Sequence, residues 1–324
     1  MSVKALLAQL SDSQFYDVDQ LRTALAISAS ELDILLLEVT QLGIELESDN
    51  DQRWRLVYGI NLLNENAIRA ALAAPTAELI TSMAVLDITD STNLQAMVAA
   101  KQGNTGFVCT AEQQTAGRGR RGRNWASPYA SNIYLSVVWE FASGVSALEG
   151  LSLAVGVAVA DALAVAGIEG VTLKWPNDIL HDNKKLGGIL VEVSGNMTSS
   201  CHVVVGIGIN VNMPAAAASA IDQPWVDAQS ILGESVERNI LLGQLLNELM
   251  PLLANYDKNG FATYRDRWQA LDAFAGQPVN ILYGQERIGG IARGVDKIGA
   301  LLLETETGTR PFNGGEVSLR GVEQ

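Results

Sequence analysis

The sequence predicts an α+β protein of several domains, with a small helical unit and a small β unit on either side of a larger mixed unit. Residues 1–64 hold three helical patterns and then two strand-like patterns. Residues 65–273 mix strands with helices, and residues 274–324 hold short strands between Gly or Asp turns. The chain has 324 residues, of which 48 % are apolar, so its length allows more than one core.

The first unit has the element order of a winged helix-turn-helix, which is three helices and then a hairpin. The apolar spacing predicts helices over 2–10, 17–27 and 30–42, and strands over 44–47 and 54–58. Ser28 or Ser30 is expected to cap the third helix, and Gly43 is expected to end it in the left-handed conformation.

The middle unit is predicted to be a sheet with a buried central helix. Strands are expected over 79–88, 105–110, 132–139, 172–174, 187–193 and 202–211, and helices over 93–102, 148–166, 238–256 and 261–271. The helix over 148–166 is apolar on nearly all sides, which predicts a central position, and residues 215–218 are assigned to a loop.

In the last unit, residues 274–324, the pattern predicts strands only. They are expected over 278–282, 286–295, 300–304, 309–312 and 317–319, and this pattern predicts a small all-β barrel.

Charge and composition argue against several classes of function. The net charge of −14 opposes a surface that grips nucleic acid mainly through its phosphates. Two cysteines without CxxC spacing and two histidines argue against a zinc site and suit a reducing compartment. The N-terminus has no secretory pattern, and the apolar run over 150–160 is shorter than the roughly 20 residues of a membrane span. A cytoplasmic protein is therefore predicted.

The first candidate for chemistry is Gly117-Arg118-Gly119-Arg120-Arg121-Gly122. Its GxGxxG spacing also occurs in dinucleotide-binding turns, but these need a helix after the last glycine, and residues 123–128 do not begin one. A mobile anion-binding loop fits better, because glycines let a ligand approach the backbone and arginines bind carboxylate and phosphate. A solvated basic loop is the alternative, and the density of arginine in an acidic chain argues against it.

The second candidate is Lys174-Trp175-Pro176-Asn177-Asp178, followed by Lys184-Lys185-Leu186-Gly187-Gly188. It combines lysines, an amide and a carboxylate at a strand end, where ligand-binding groups often lie. Either half alone can be an exposed turn. Together with the arginine-glycine loop, the two halves indicate a nucleotide and phosphate site.

Two shorter stretches also have structural explanations, and for the first of them the structural explanation is favoured. Residues 90–93, Asp-Ser-Thr-Asn, stand where a strand meets a helix, and a helix N-cap explains Ser or Thr there without a ligand. In residues 206–212, Gly206 and Gly208 mark a close backbone approach to a ligand, to a neighbouring strand, or to both.

These stretches in this order resemble the bifunctional bacterial biotin protein ligases, which also act as biotin operon repressors. The arginine-glycine loop before Trp125, the KWPND and KLGGIL strings, and residues 314–320 near the C-terminus carry the resemblance. It implies a central mixed sheet related to class II aminoacyl-tRNA synthetases, with helices on one side, and a C-terminal barrel like that of Src-homology-3 domains. A lipoate ligase of the related fold is a weaker interpretation, because the arginine-rich loop fits the biotin family better.

The resemblance also implies a reaction. Biotin and ATP form biotinyl-5′-AMP with Mg²⁺ on the ATP phosphates, and biotin then passes to a lysine of the biotin carboxyl carrier protein of acetyl-CoA carboxylase. A homodimer formed by side-by-side sheets is a further expectation of the family.

The family's site residues map onto this sequence one by one. The resemblance assigns biotin binding to Ser91, Thr92, Asn93, Gln114, Arg118, Gly119, Arg120, Lys185 and Gly188. It assigns the nucleotide and adenylate to Arg121, Trp125, Lys174, Asn177 and Asn210. The catalytic set is Lys185, Arg118, Arg120 and Asp178, in which Asp178 orients the incoming lysine.

The first unit departs from what a repressor needs. No Lys or Arg lies between Arg22 and Arg53, and residues 1–63 hold four basic and ten acidic side chains. Phosphate contacts and guanine recognition both rely on Lys and Arg. We therefore expect binding to operator DNA to be weakened or lost.

Overall fold

The N-terminal unit consists of three helices and a short hairpin. The structure, a computed structural model, describes residues 2–195, 200–219, 221–283, 286–314 and 317–321. The elements of this unit are α1 (Val3–Gln9), α2 (Val18–Leu25), α3 (Ala29–Gln41), β1 (Leu46–Ser48) and β2 (Trp54–Leu56). Ser28 caps α3 by accepting from the Glu31 N–H while the Glu31 carboxylate accepts from the Ser28 N–H, and Gly43 follows with φ +79°. This reciprocal capping box is why α3 begins where the sequence predicted.

A buried carboxylate of the middle unit, Glu112, holds the N-terminal unit in place. The core of the N-terminal unit is built mainly of leucines, and Tyr129 of the middle unit packs against it. Glu112, with no exposed surface, accepts from Arg238 at 2.7 Å and from the Leu63 N–H at 2.5 Å. Lys4 Nζ lies 3.6 Å from the same carboxylate. Since an unpaired buried charge is costly, these contacts fix the two units against each other.

The middle unit contains a seven-stranded mixed sheet and eight helices of at least one turn within the described residues. The strands are β3 (Ser82–Thr89), β4 (Phe107–Gln114), β5 (Ile133–Phe141), β6 (Val171–Lys174), β7 (Asp178–His181), β8 (Lys184–Gly195) and β9 (Cys201–Ile209). The helices are α4 (Glu65–Ala70), α5 (Ala74–Leu79), α6 (Thr92–Lys101), α7 (Leu151–Val165), α8 (Ala215–Ala218), α9 (Ala228–Leu232), α10 (Arg238–Asn259) and α11 (Arg265–Leu271). The strand order is β3-β4-β5-β9-β8-β7-β6, in which only the β3–β4 pair is parallel.

Helices cover both faces of this sheet. Val137 and Val205 belong to the large core that includes α7 and α10, whereas their neighbours Val138 and Val204 pack with α6. The expectation that helices lie on one side of the sheet only is therefore wrong. The helix α6 lies on the opposite face, and its small residues let it pack closely there. The helix α7 is buried on nearly all sides, as predicted.

Four local predictions differ from the structure. Leu79 ends α5, a helix with a proline in its first turn, so β3 begins only at Ser82. Residues 215–218 form the one-turn helix α8, since alanine is the best helix former. A short 3₁₀ turn over 261–263 precedes α11. The strand β7 was not expected, although Asp182 and Asn183, both with positive φ, carry the sequence signal of a tight hairpin.

The C-terminal unit is an antiparallel sheet of five strands. They are β10 (Pro278–Tyr283), β11 (Glu286–Val295), β12 (Leu301–Thr305), β13 (Gly308–Phe312) and β14 (Val317–Gly321), in the order β13-β12-β11-β10-β14. Gly315 and Glu316 of the family pattern lie outside the described residues. Within the described part of the chain, no helix is long and apolar enough to cross a membrane.

Candidate active site

A cavity of about 520 Å³ opens on the α6 side of the sheet. Every site residue expected from the sequence lines it, although these residues come from distant parts of the chain. They are Ser91, Thr92, Asn93, Gln114, Arg118, Gly119, Arg120, Arg121, Trp125, Lys174, Asn177, Asp178, Lys185, Gly188 and Asn210. The arrangement has a polar neutral end near α6 and a cationic end near the β6–β7 turn.

The neutral end is a network of hydroxyls and amides at the start of α6. Gln114 Oε1 accepts from the N–H and the hydroxyl of Thr92 at 2.9 and 3.1 Å. Ser91 occupies the N-cap position, but its side chain makes no capping hydrogen bond. The N-cap alternative therefore does not account for the Ser91 hydroxyl, and Ser91 is one of the residues that line the cavity.

Asn93 is held between two partners. Its Nδ2 donates to Glu192 at 2.8 Å, and its Oδ1 accepts from the buried Ser136 hydroxyl at 2.6 Å. A Cβ at Gly206 would lie only 2.1 Å from Asn93 Oδ1. The glycine in β9 therefore makes room for a side chain of the site, rather than for a neighbouring strand.

The arginine-glycine loop folds back on itself. The Gly119 N–H donates to the Arg123 carbonyl at 2.7 Å, and the Trp125 N–H donates to the Gly117 carbonyl at 2.9 Å. Gly122 has φ +70° and closes a short 3₁₀ turn, after which residues 123–132 form no helix. The loop thus lacks the helix that a dinucleotide-binding turn requires.

Arg118 and Arg120 point to different partners. Arg118 donates to Glu192 at 2.9 Å, so one carboxylate holds both Arg118 and Asn93. Arg120 donates to Asn177 Oδ1 at 3.1 Å and to the Gly314 carbonyl of the C-terminal unit. Arg120 is partly buried, and burial lowers the pKa of its guanidinium because it disfavours the charged form. A partly desolvated cation interacts more strongly with an anionic ligand.

Lys185 and Asp178 form the ion pair of the cationic end, with Nζ and Oδ1 2.7 Å apart. A register shift between β7 and β8 leaves Leu186 without a partner across the pair. Because of this bulge, Lys185 shares a face with Gly188, where its Nζ lies 3.7 Å from the position of a Cβ. The backbone of Lys185 is also bonded to Pro224 and Val226 of the loop that follows β9.

Trp125 lies against a glycine surface. A Cβ at Gly208 would be 2.6 Å from its ring, and one at Gly188 would be 3.3 Å away. Lys185 Nζ lies 5.4 Å from the Trp125 ring centroid. Because Gly188 and Gly208 have no side chains, the Trp125 indole can lie against the sheet next to Lys185, the lysine that the sequence assigned to catalysis.

The remaining predicted residues support this end of the cavity. Asn177 Nδ2 donates to the Ile189 carbonyl at 2.8 Å, and Lys174 Nζ lies 5.6 Å from the Phe274 ring centroid. Asn210 Nδ2 bonds to the carbonyls of Lys185 and Val226, both at 3.2 Å. The amide nitrogen of Asn210 thus ties β8 to the loop after β9. Arg121 is exposed at the rim.

Sequence reasoning missed Glu192, Trp225 and Leu319. Trp225 and Leu319 line the cavity, and Glu192 bridges Arg118 and Asn93. A single carboxylate within the apolar strand 187–193 was the available signal for Glu192. No local signal distinguishes Trp225 or Leu319, because their place depends on how the loop and the C-terminal unit fold over the sheet.

The fold and the cleft are those of an α+β enzyme. In its cleft, the cationic side chains of Arg118, Arg120 and Lys185 lie beside a neutral polar pocket. Residues 84–210 match the Biotin/lipoate A/B protein ligase family, and residues 274–320 match the Biotin protein ligase C terminal domain. The chain is 37 % identical to the bifunctional ligase/repressor BirA of Escherichia coli (strain K12), over 98 % of this chain and 97 % of that protein. This chain belongs to the biotin protein ligase family.

Two further comparisons agree. The chain is 35 % identical to the biotin–acetyl-CoA-carboxylase ligase of Paracoccus denitrificans, over 72 % of this chain and 98 % of that protein. It superimposes on the biotin protein ligase of Aquifex aeolicus in complex with biotin and ATP with a TM-score of 0.63. That match has 28 % identity and covers 75 % of this chain and all of the other.

Proposed function

We propose that this protein is the ligase that joins biotin to the biotin carboxyl carrier protein of acetyl-CoA carboxylase. The observation that carries the proposal is the order of groups along the cavity: a neutral hydrogen-bonding pocket lies next to Arg118, Arg120 and Lys185. Biotin has a neutral polar ureido ring at one end and a carboxylate at the other, so it matches this sequence of environments. The names of the relatives point to the same activity.

The ureido group is bound at the start of α6. Ser91, Thr92, Asn93 and Gln114 offer donors and acceptors of the size that such a group needs, with Gly188 on the floor of the cavity. The Glu192 carboxylate accepts a hydrogen bond from Asn93 Nδ2 and so fixes the orientation of this amide. The biotin carboxylate then extends toward the arginine-glycine loop.

The first step joins two anions. A biotin carboxylate oxygen bonds to the α-phosphorus of ATP, the bond from that phosphorus to the bridging oxygen breaks, and pyrophosphate leaves. Arg118, Arg120 and Lys185 offset the repulsion and stabilise the charge that accumulates in the transition state. Gly119 lets the loop approach closely, and closure of the loop protects the mixed anhydride from water.

The nucleotide occupies the side of the cavity near Trp125. Arg121, Lys174, Asn177 and Asn210 border this region, with Asn177 and Asp178 supplying oxygen atoms of the kind that Mg²⁺ prefers. Within the described ranges, no three His, Cys, Asp or Glu side chains are grouped to hold a metal ion. Mg²⁺ bound with ATP would neutralise charge on the phosphate oxygens.

The second step transfers biotin to the carrier. The neutral lysine amine of the carrier bonds to the biotin carbonyl carbon, AMP leaves with the electron pair of the broken bond, and the amine nitrogen releases its proton to solvent. Asp178 accepts a hydrogen bond from the amine and orients it, once the adenylate engages Lys185.

The finer architecture is part of this proposal. We assign residues 1–64 to a winged helix-turn-helix domain, residues 65–273 to a class II synthetase-like catalytic domain, and residues 274–324 to a barrel like that of Src-homology-3 domains. A cytoplasmic location and a homodimer through side-by-side sheets complete the assignment. Three helices followed by the antiparallel β1–β2 pair support the first domain, and the five antiparallel strands support the last.

A biotin-dependent repressor of the biotin operon is the second candidate, because relatives matched over 97 % of their own length are named ligase/repressor. The charges of the N-terminal unit oppose it. Arg22, Arg53 and Arg55 each pair with a carboxylate, at 3.0, 2.6 and 2.6 Å. Nanomolar, salt-sensitive binding to a biotin-operator duplex in a mobility-shift assay would establish this second activity.

The ligase proposal has a direct test. The protein is mixed with biotin, ATP, Mg²⁺ and an apo carrier domain, and the carrier is weighed by mass spectrometry. We expect the carrier to gain one biotinyl group and to gain nothing when lipoate replaces biotin. A gain with lipoate and none with biotin would reject the proposal.

A further inference from the structure

The outer face of α3 leaves two large apolar side chains in water. Ile34 is 57 % exposed and Leu37 is 58 % exposed, while Leu32, Leu35, Leu36 and Val39 fill the core on the inner face. Residues three apart on a helix are neighbours, so Ile34 and Leu37 form one continuous patch. Neither residue packs against the core of the N-terminal unit, and neither lines the catalytic cavity.

Carboxylates stand on both sides of this patch. At 100° per residue, Asp33 lies on the flank beside Leu37, and Glu38 lies on the flank beside Ile34. Both are exposed, and no ion pair joins either of them to a residue that the structure describes. The three arginines of the unit are instead paired with Asp19, Asp49 and Glu47. The patch is therefore apolar in the middle and anionic at its edges.

The charge pattern selects the occupant. Nucleic acid would place phosphates against Asp33 and Glu38 with no cation between Arg22 and Arg53 to offset them. A second copy of this acidic chain would bring like charges together. A cationic protein segment with apolar side chains on one face satisfies both halves of the surface, because it covers Ile34 and Leu37 and pairs with the carboxylates.

We propose that the outer face of α3, formed by Ile34, Leu37, Asp33 and Glu38, is a docking surface for a basic amphipathic segment of a partner protein. The surface is separate from the catalytic cavity, so the N-terminal unit carries a protein-recognition function beside the ligase. The partner is defined by its chemistry, which is a helix or strand with lysines or arginines flanking an apolar stripe.

The probe is a fluorescent synthetic peptide with leucines at helical spacing and lysines between them, compared with a scrambled peptide of the same composition. The full chain is titrated into each peptide, and anisotropy is measured. We expect the amphipathic peptide to bind more tightly than the scrambled one. Ile34→Ser with Leu37→Ser should weaken binding by about tenfold, since most of the apolar contact area is lost.

Two further variants separate the contributions. The Asp33→Asn, Glu38→Gln double variant should bind the peptide more weakly, and its affinity should depend less on salt. The Val165→Ser, Ile240→Ser double variant alters exposed apolar residues elsewhere in the chain, and its affinity for the peptide should equal that of the wild type. All of these positions are exposed, and thermal unfolding confirms that each variant is folded.

Three results would overturn the proposal. The first is equal peptide affinity of the wild type and the Ile34→Ser, Leu37→Ser variant. The second is a concentration-dependent dimer, seen by sedimentation, that this variant abolishes. The third is binding of an operator duplex that is tighter than peptide binding and is lost in the same variant. Biotinylation of the carrier should be unaffected by either α3 double variant, so failure of this proposal is distinct from failure of the ligase proposal.

Discussion

Lys185 and Asp178 are joined across β7 and β8 by a contact of 2.7 Å, although Lys185 pairs in the sheet with Leu180 and Asp178 pairs with Gly188. The bulge at Leu186 brings the lysine around to the face of the cavity. The ion pair holds the lysine between the Asp178 carboxylate and the Trp125 ring. A substrate phosphate or carboxylate can then exchange places with Asp178 as the partner of Lys185.

Replacement of Lys185 by alanine should impair formation of the adenylate. The variant loses a cation that stabilises the transition state, and we expect the rate to fall by about 10²- to 10³-fold. Biotin-dependent exchange of pyrophosphate into ATP measures this step without the carrier. Lys184→Ala is the matched control, since Lys184 is the adjacent residue but is exposed and does not line the cavity. An unchanged exchange rate in Lys185→Ala would show that the lysine is wrongly assigned.

Replacement of Asp178 by asparagine separates the two half-reactions. The amide keeps the size of the side chain and loses the charge that orients the incoming amine. We expect transfer of biotin from preformed adenylate to the carrier to slow by about tenfold or more, and adenylate formation to change less. Rapid quenching of a single turnover measures the transfer rate. Equal losses in both steps would mean that Asp178 acts mainly by holding Lys185.

The two glycines of β9 should affect different substrates. Gly206→Ala places a methyl group against Asn93, and we expect the KM for biotin to rise by about tenfold. Gly208→Ala places a methyl group against Trp125, and we expect the KM for ATP to rise instead. Steady-state kinetics with each substrate varied will show the difference. Gly289→Ala is the control, because a Cβ there meets only ordinary contacts in the C-terminal unit. A rise in the same KM for both β9 variants would contradict the assignment of the two ends of the cavity.

The sequence predicted best where local chemistry decides the structure. Helix α3 follows from apolar spacing and from the reciprocal hydrogen bonds of Ser28 and Glu31, which are local. The arginine-glycine loop was found because its composition is unusual in an acidic chain. Its contacts to Asn177 and Gly314 come from two other parts of the chain and had no local signal.

Prediction was weaker where strand pairing decides the structure. Lys184 and Lys185 are adjacent and alike in sequence, and the bulge between β7 and β8 determines which of them faces the cavity. Only the spacing shared with the family pointed to Lys185. Glu192 was missed for the same reason, because its role depends on β8 lying with that face toward α6 and the arginine loop.

Asp272 should make the stability of the protein depend on pH. Burial raises the pKa of this carboxyl from 3.8 to about 6, and one of its oxygens is buried without a hydrogen-bond partner within the described residues. The folded state therefore binds a proton below about pH 6, whereas the unfolded chain binds it only below about 3.8. Between these values the folded state holds more protons, so the free energy of unfolding decreases as pH rises.

Asp272→Asn removes this titration and keeps an oxygen that can accept from the Phe274 N–H. We expect the variant to be more stable than the wild type by about 2 kcal/mol at pH 7 to 8, and the difference to shrink toward pH 4, where the wild-type carboxyl is protonated in the folded state. Urea unfolding at several pH values measures the free energy of unfolding directly. Glu306→Gln, at an exposed position of the β12–β13 turn, controls for the loss of one negative charge. A stability difference that stays constant from pH 4 to 8 would show that the Asp272 carboxyl does not carry the raised pKa.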